Sequence, residues 1–129
     1  MKIIGSVLMI EKTIKISMLY DFYSPLLTER QRDIIDYYYN QDFSLGEIAE
    51  IFSISRQAVY DTIKRTEKIM YEYEERLKLI ELYSSRAETI KKTFIQVEQL
   101  DKLIKKNAPK EELEEEIRVI KILLTDIHN

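Results

Sequence analysis

Two helix-start signals sixteen residues apart constrain this chain more than anything else in it. Thr28 is followed three residues later by Gln31, and Ser44 by Glu47. Each pair is a capping box, in which the hydroxyl takes an orphan amide of the first turn while the longer side chain reaches back to the cap's own N–H. Ser55 offers a third N-cap just past a break at Phe52-Ser53-Ile54. The stretch Leu27 to Met70, LTERQRDIIDYYYNQDFSLGEIAEIFSISRQAVYDTIKRTEKIM, therefore reads as three short helices with one tight turn.

Spacing inside the stretch says how the last two helices meet. Small Ala49 is followed by Ser53 in the break and then by Val59, and Ile48, Phe52, Ile54 and Val59 face one another if two helices cross over a three- or four-residue turn. That is helix-turn-helix geometry, in which Ala49 is small because the second helix packs close to it. The pattern EIA, a short gap, then Ser and a further helix resembles the fourth-region DNA-binding helices of bacterial sigma factors. More narrowly, SLGEIAEIFSISRQAVYDTIKRTE, preceded by KISMLYDFYSPLLTERQRDIIDYYY, resembles the YlxM family of small helix-turn-helix proteins over roughly Glu11 to Leu103. In many Gram-positive bacteria such proteins are encoded beside the signal recognition particle GTPase. The resemblance implies a role in that targeting pathway, with the GTPase, its receptor or the particle RNA as partner. One residue departs from the pattern: glycine is usual where Ser53 stands. A left-handed backbone there costs a serine on the order of 1 kcal/mol, so either the turn bends differently or packing holds the strain.

With two Gly and two Pro among 129 residues the chain is nearly free of punctuation, which favours an all-α fold with one domain's worth of core. No Cys is present, so disulfide and thiolate chemistry are excluded and a cytoplasmic setting is expected. A formal charge of −3 argues against a general nucleic-acid coat. Met1 to Ile10 is apolar but too short to span a bilayer and lacks a small-residue cleavage site, so no membrane insertion is expected. The expectation is a poorly ordered N-terminal extension over 1–10, with Met9 as the natural start.

Along the chain, Glu11 to Tyr23 predicts the first helix, with Ile14, Met18, Leu19 and Phe22 on its inner face, ended by Ser24-Pro25. Glu29 to Tyr39 predicts the second, with Ile34, Ile35 and Tyr38 inward and Arg30, Arg32, Asp33 and Asp36 wet. Val59, Ile63, Met70, Tyr73, Leu77 and Ile80 continue a stripe to about Tyr83, and Ser84-Ser85 is the expected break. The helix-turn-helix domain thus spans 11–83 and C-terminal helices span 84–129. A second stripe runs through Ile90, Phe94, Val97, Leu100 and Ile104, and Lys105 to Pro109 is a linker. The last helix, Lys110 to His128, carries Leu113, Ile117, Ile120, Leu124 and Ile127 at alternating spacings of four and three, the mark of a seam against another helix. These C-terminal helices form either a hairpin folded onto the first helix or an interface between two copies, and the regular last helix favours a homodimer.

Nothing in the residues supports catalysis. His128 is the single histidine and sits at the chain end; there is no glycine-rich loop and no acidic cluster with metal spacing. No cofactor and no metal are expected. Glu111, Glu112, Glu114, Glu115 and Glu116 open the last helix and complement its dipole as a solvated start. Tyr37, Tyr38 and Tyr39 could stack bases, but two of the three are expected to pack against neighbouring helices.

Binding remains. If Ala58, Val59 and Ile63 face the core, then Arg56, Gln57, Tyr60, Asp61, Lys64 and Arg65 turn outward. Arg56 and Gln57 are of the types that read guanine and adenine edges, and Lys64, Arg65 and Lys68 could hold phosphates. Against this, Thr28 to Met70 carries six basic residues (Arg30, Arg32, Arg56, Lys64, Arg65, Lys68) and eight acidic ones, a net of −2. So few phosphate contacts gain little from counterion release. The first reading is accordingly an adaptor or regulator that binds a protein or an RNA–protein particle. The second is a sequence-specific DNA-binding regulator, whose dimer would set two reading helices about one DNA turn apart.

Overall fold

A computed structural model of the chain describes Lys2 to His128, apart from the side chains of Lys2, Ile3, Ile4, Ser6 and His128. The expectation placed on the His128 imidazole lies outside the described residues. Among the described residues every regular element is helical. None of these helices is long and apolar enough to cross a membrane. The chain divides into two compact units, Met1–Ile80 and Glu81–Asn129.

The first unit opens with α1, Lys2–Tyr23. It starts at Lys2 and not at Glu11, because nothing in the apolar segment interrupts a helix; Gly5 alone costs about 1 kcal/mol. Val7, Leu8, Met9 and Ile10 on this added stretch are exposed. The inner face of α1 also differs from the expected one. Ile16, Leu19 and Tyr23 are buried, while Ile14 and Met18 are exposed and Phe22 is only partly covered. Apolar residues surround this helix, so periodicity alone leaves its rotation open. Ser24–Leu26 form a single tight turn with Pro25 at its start, which ends α1 as the proline predicts.

Both capping boxes are formed. Gln31 N–H donates to Thr28 Oγ1 at 3.2 Å and Gln31 Oε1 accepts from Thr28 N–H at 3.1 Å, starting α2, Glu29–Ile35. The Ser44–Glu47 pair repeats this at 3.1 Å in both directions and starts α3, Leu45–Phe52. Between them the chain widens into a single wide turn over Asp36–Asn40. That turn rotates the tyrosines: Tyr37 packs on Phe43 at 4.9 Å between centroids, Tyr39 is partly buried against the core, and Tyr38 faces solvent. Two of the three tyrosines pack, but Tyr38, expected inward, is the one left out.

Ser53 takes the left-handed backbone, at φ 55° and ψ 45°. Ile54 N–H reaches back to Ala49 O at 3.0 Å and Ser53 N–H to Glu50 O at 3.3 Å, the paired bonds of a Schellman stop. The left-handed turn is therefore formed and not avoided, its strain offset by these two hydrogen bonds. Ser53→Gly relieves it, and we expect a gain of about 1 kcal/mol in unfolding free energy by urea titration. Three residues, Ser53 to Ser55, separate α3 from α4, Arg56–Leu77. Ser55 Oγ accepts from Ala58 N–H at 3.0 Å as the third cap.

The core is one cluster in which α1, α2, α3 and α4 meet: Ile16, Leu19, Tyr23, Leu27, Ile34, Ile35, Ile48, Ala49, Val59, Ile63 and Met70. The stripe of α4 runs from Val59 through Ile63, Thr66, Glu67 and Met70, all buried, to Tyr73, and Ile80 just past the helix also packs against the core. The helix itself stops earlier than periodicity suggests. Lys78 adopts φ 54° and ψ 34°, and Leu77 is exposed. The break lies at Lys78 because side chains capture the next amides: Leu79 N–H donates to Tyr23 Oη at 3.3 Å and Ile80 N–H to Glu74 Oε1 at 2.9 Å. Tyr23 Oη in turn donates to Glu74 Oε1 at 2.6 Å.

The second helical stretch, α5, spans Leu79–Lys105, so Ser84-Ser85 lie within a helix and break nothing. It ends where the linker was expected: Asn107 is left-handed at φ 54°, with Ala108 N–H bonded to Leu103 O at 3.0 Å. Pro109 then precedes α6, Lys110–His128. Within the second unit α5 and α6 flank a shared groove, but no described side chain there is fully buried.

Candidate functional site

The outer side of α4 is where the sequence places its contacts, and all six side chains do lie there. Arg56, Gln57, Tyr60, Lys64, Arg65 and Lys68 are exposed, while Val59 and Ile63 face the core. The caps at Ser44 and Ser55 and the stop at Ser53 fix where α4 begins. Its register then follows from Val59, Ile63 and Met70, each at most 2% exposed.

Exposure is not availability. Gln57 Nε2 donates to Asp61 Oδ1 at 2.9 Å, so an amide that could read adenine is already engaged by the acidic residue one turn on. Lys64 Nζ lies 5.5 Å from the Tyr60 ring centroid and 3.6 Å from Glu67 Oε2. Arg56 folds back over the first turn of α3, where a Cβ added to Gly46 would sit 3.2 Å from the guanidinium. Glycine at 46 thus allows the close approach of that side chain. Of the six, Arg56, Arg65 and Lys68 have no side-chain hydrogen-bond, ion-pair or ring partner among the described residues.

Glu67 is the residue that the sequence reading missed. It is 6% exposed and receives the Tyr39 hydroxyl as a hydrogen-bond donor. Lys12 Nζ of α1 lies 3.5 Å from its second oxygen, on the side where Lys64 also approaches. The signal was present: position 67 is four after Ile63 and three before Met70, so a continuous stripe puts it on the inner face. A cavity of about 300 Å³ opens beside this cluster, lined in part by Tyr38, Tyr39, Tyr60, Lys12 and Lys64. The site is therefore a buried carboxylate on α4 itself holding two lysines, not a bare basic stripe.

Two phenols of the first unit share one arrangement. Burial chiefly, and then the hydrogen bond to Glu67, pushes the Tyr39 phenol well above the ordinary tyrosine range. Burial and Glu74 raise Tyr23 above its usual 10.0 in the same order. In both cases the folded state keeps a proton that the unfolded chain releases. Their contribution is fully present below pH 10.0 and is lost as pH rises beyond it. We expect the urea midpoint to hold from neutral pH to about that point and then fall, by at most about 1.4 kcal/mol per pH unit for buried Tyr23. Tyr23→Phe should flatten the alkaline limb while lowering stability at neutral pH.

The seam residues of α6 divide. Leu113, Ile120 and Ile127 are half-buried within the second unit, whereas Ile117 and Leu124 are exposed.

Comparison with known sequences agrees with this architecture. The profile of a family described as "Putative helix-turn-helix protein, YlxM / p13 like" matches residues 10–118. A UPF0122 protein of Halalkalibacterium halodurans is 50% identical over 105 residues, covering 81% of this chain and 90% of that protein. Another from Listeria monocytogenes is 44% identical over 113 residues, covering 88% of this chain and 97% of its own length. One from Shouchella clausii is 53% identical over 78 residues, 60% of this chain and 72% of the relative. With two capped helices joined through a left-handed Ser53, and with relatives that match it over nearly their whole length, the chain belongs to the YlxM / p13-like helix-turn-helix family.

Proposed function

We propose that this protein is a cytoplasmic adaptor or regulator of co-translational targeting by the signal recognition particle, acting by binding and not by catalysis. Its partner on this reading is the particle's GTPase, the GTPase's receptor or the particle RNA. The observation that carries the proposal is the state of the α4 outer face. Gln57 and Lys64 are already engaged by groups of the same chain, within a segment, Thr28 to Met70, whose net charge is −2. A DNA reader needs those groups free and a surplus of positive charge around them. A protein partner with its own basic patches does not require that surplus, which favours the GTPase or its receptor over the particle RNA.

A second reading, a sequence-specific DNA-binding regulator, is favoured by one observation: all six candidate side chains lie on the outer side of a single well-capped helix. Pull-down from a cytoplasmic extract with and without nuclease separates the two. Capture of the targeting GTPase or the particle RNA, with Arg56→Ala/Gln57→Ala binding as wild type does, supports the adaptor. Recovery of promoter fragments alone, lost in the same variant and steeply weakened by salt, overturns it.

A further inference from the structure

In the second unit the more apolar side of α5 is not the side turned inward. Thr89, Thr93, Gln96, Leu100 and Leu103 occupy the half-buried positions, at alternating spacings of four and three. One residue further on, Ile90 is 57% exposed, Phe94 62%, Val97 45% and Ile104 54%. A rotation of α5 by one position, about 100°, would exchange the two stripes, burying four better hydrophobes but setting Asp101 in place of Leu100. A hairpin meant to stand alone would gain from that exchange. The helix instead satisfies its inward threonines locally, Thr93 Oγ1 donating to Thr89 O at 2.8 Å and Thr89 Oγ1 to Ser85 O at 3.2 Å.

The exposed stripe forms one wall of a groove of about 260 Å³, completed by Leu124 and Ile127 of α6. The Thr93 hydroxyl that lines it is committed to its own helix. What fills the groove must therefore be apolar and shaped like the ridge of a helix. We infer that the occupant is a second copy of this chain, docked through α5 to give an antiparallel four-helix dimer with Phe94 at its centre.

Three features select a second copy. The stripe repeats at 90, 94, 97 and 104, the spacing that lets a helix pack against another of its own kind. An antiparallel crossing that sets Phe94 against Val97 of the second copy also brings Lys91 beside Glu98 of that copy, and the two-fold repeats the pair. The exposed area is of the right order as well. Ile90, Phe94, Val97, Ile104, Ile117 and Leu124 are all at least 39% exposed. At roughly 100 Å² each they offer about 600 Å² per chain, or about 1,200 Å² over both chains, the lower end of stable interfaces. This contact centres on α5 and not on the α6 seam expected from sequence, of which Ile117, Leu124 and Ile127 supply only its edge. It is also independent of what α4 binds.

Sedimentation of the full-length protein at micromolar concentration tests the inference. The wild type should sediment as two chains. Phe94→Glu, at an exposed position, should keep the helical circular dichroism and raise the dissociation constant at least about a hundredfold. Lys91→Glu and Glu98→Lys should each weaken the dimer about tenfold, and the double reversal should return it to within about twofold of wild type. A wild-type mass of one chain overturns the proposal. So does a dimer indifferent to Phe94→Glu, one broken instead by Leu8→Glu on the exposed start of α1, or a double reversal no better than either single change.

Discussion

Ile48→Ala should lower the unfolding free energy of the first unit by about 2–5 kcal/mol, a large share of the roughly 5–15 kcal/mol a domain possesses. Ile48 is 0% exposed, and it sits on α3 in the cluster that includes Ile34, Ile35, Val59 and Ile63. Truncation removes three carbons where those neighbours come from different helices, each held by its own caps, so the space cannot collapse fully. Urea titration followed by circular dichroism checks this, with a lower midpoint and an unchanged slope expected. Ile51, one turn along the same helix and 47% exposed, provides the control. Ile51→Ala should cost less than about 0.5 kcal/mol. Equal effects at the two positions would mean that α3 does not present its Ile48 face to the core.

Glu67→Gln should change both stability and charge behaviour, in opposite senses for the two. Glutamine keeps the volume and can still accept from Tyr39, but it withdraws the negative charge from Lys12 and Lys64. Both lysines are more than two-fifths exposed, so water covers them when the carboxylate goes and the loss is modest. Replacement of a charged acceptor by a neutral one at the Tyr39 hydroxyl is the main cost, about 1–2 kcal/mol. The net charge from Thr28 to Met70 meanwhile changes from −2 to −1, and Lys64 becomes free to reach a phosphate. Non-specific DNA binding should therefore strengthen, with the slope of log K against log salt steeper by about 1 for each lysine recruited. Fluorescence anisotropy with a labelled duplex across a salt series measures it. An unchanged slope would show that Glu67 serves the fold alone.

How much of this was legible depends on the range of the interaction. Thr28–Gln31, Ser44–Glu47 and Ser55 were readable because a cap involves residues three apart, whatever else surrounds them. The stop at Ser53 was readable too, since the need for a left-handed residue arises from backbone geometry between two helices. The outward set on α4 followed from Val59 and Ile63, which admit only one inner face. By contrast, α1 offers Ile14, Ile16, Met18, Leu19, Phe22 and Tyr23 around its circumference. Only the space left by α2 and α4 selects Ile16, Leu19 and Tyr23.

The break at Lys78 belongs to the same class. Nothing near it resembles a stop signal, and no Gly, Pro or Asn marks it. It exists because Tyr23 and Glu74 supply acceptors for the amides of Leu79 and Ile80, and Tyr23 is far away in the chain. Glu67 was overlooked for the opposite reason. Its charge argued for solvent, whereas the stripe between Ile63 and Met70 required an inward residue, and Tyr39 with two lysines made that position tolerable.

The amino-acid order by itself determined where helices start, where the motif turns and which side of α4 looks outward, because those outcomes depend on groups within a turn or two of each other. Only the tertiary structure decided which stripe of α1 and α5 turns inward, where α4 ends and which outward charges on α4 are already paired. Those depend on burial and on partners distant in the chain, and a helix with more than one apolar face leaves that choice to whatever packs against it.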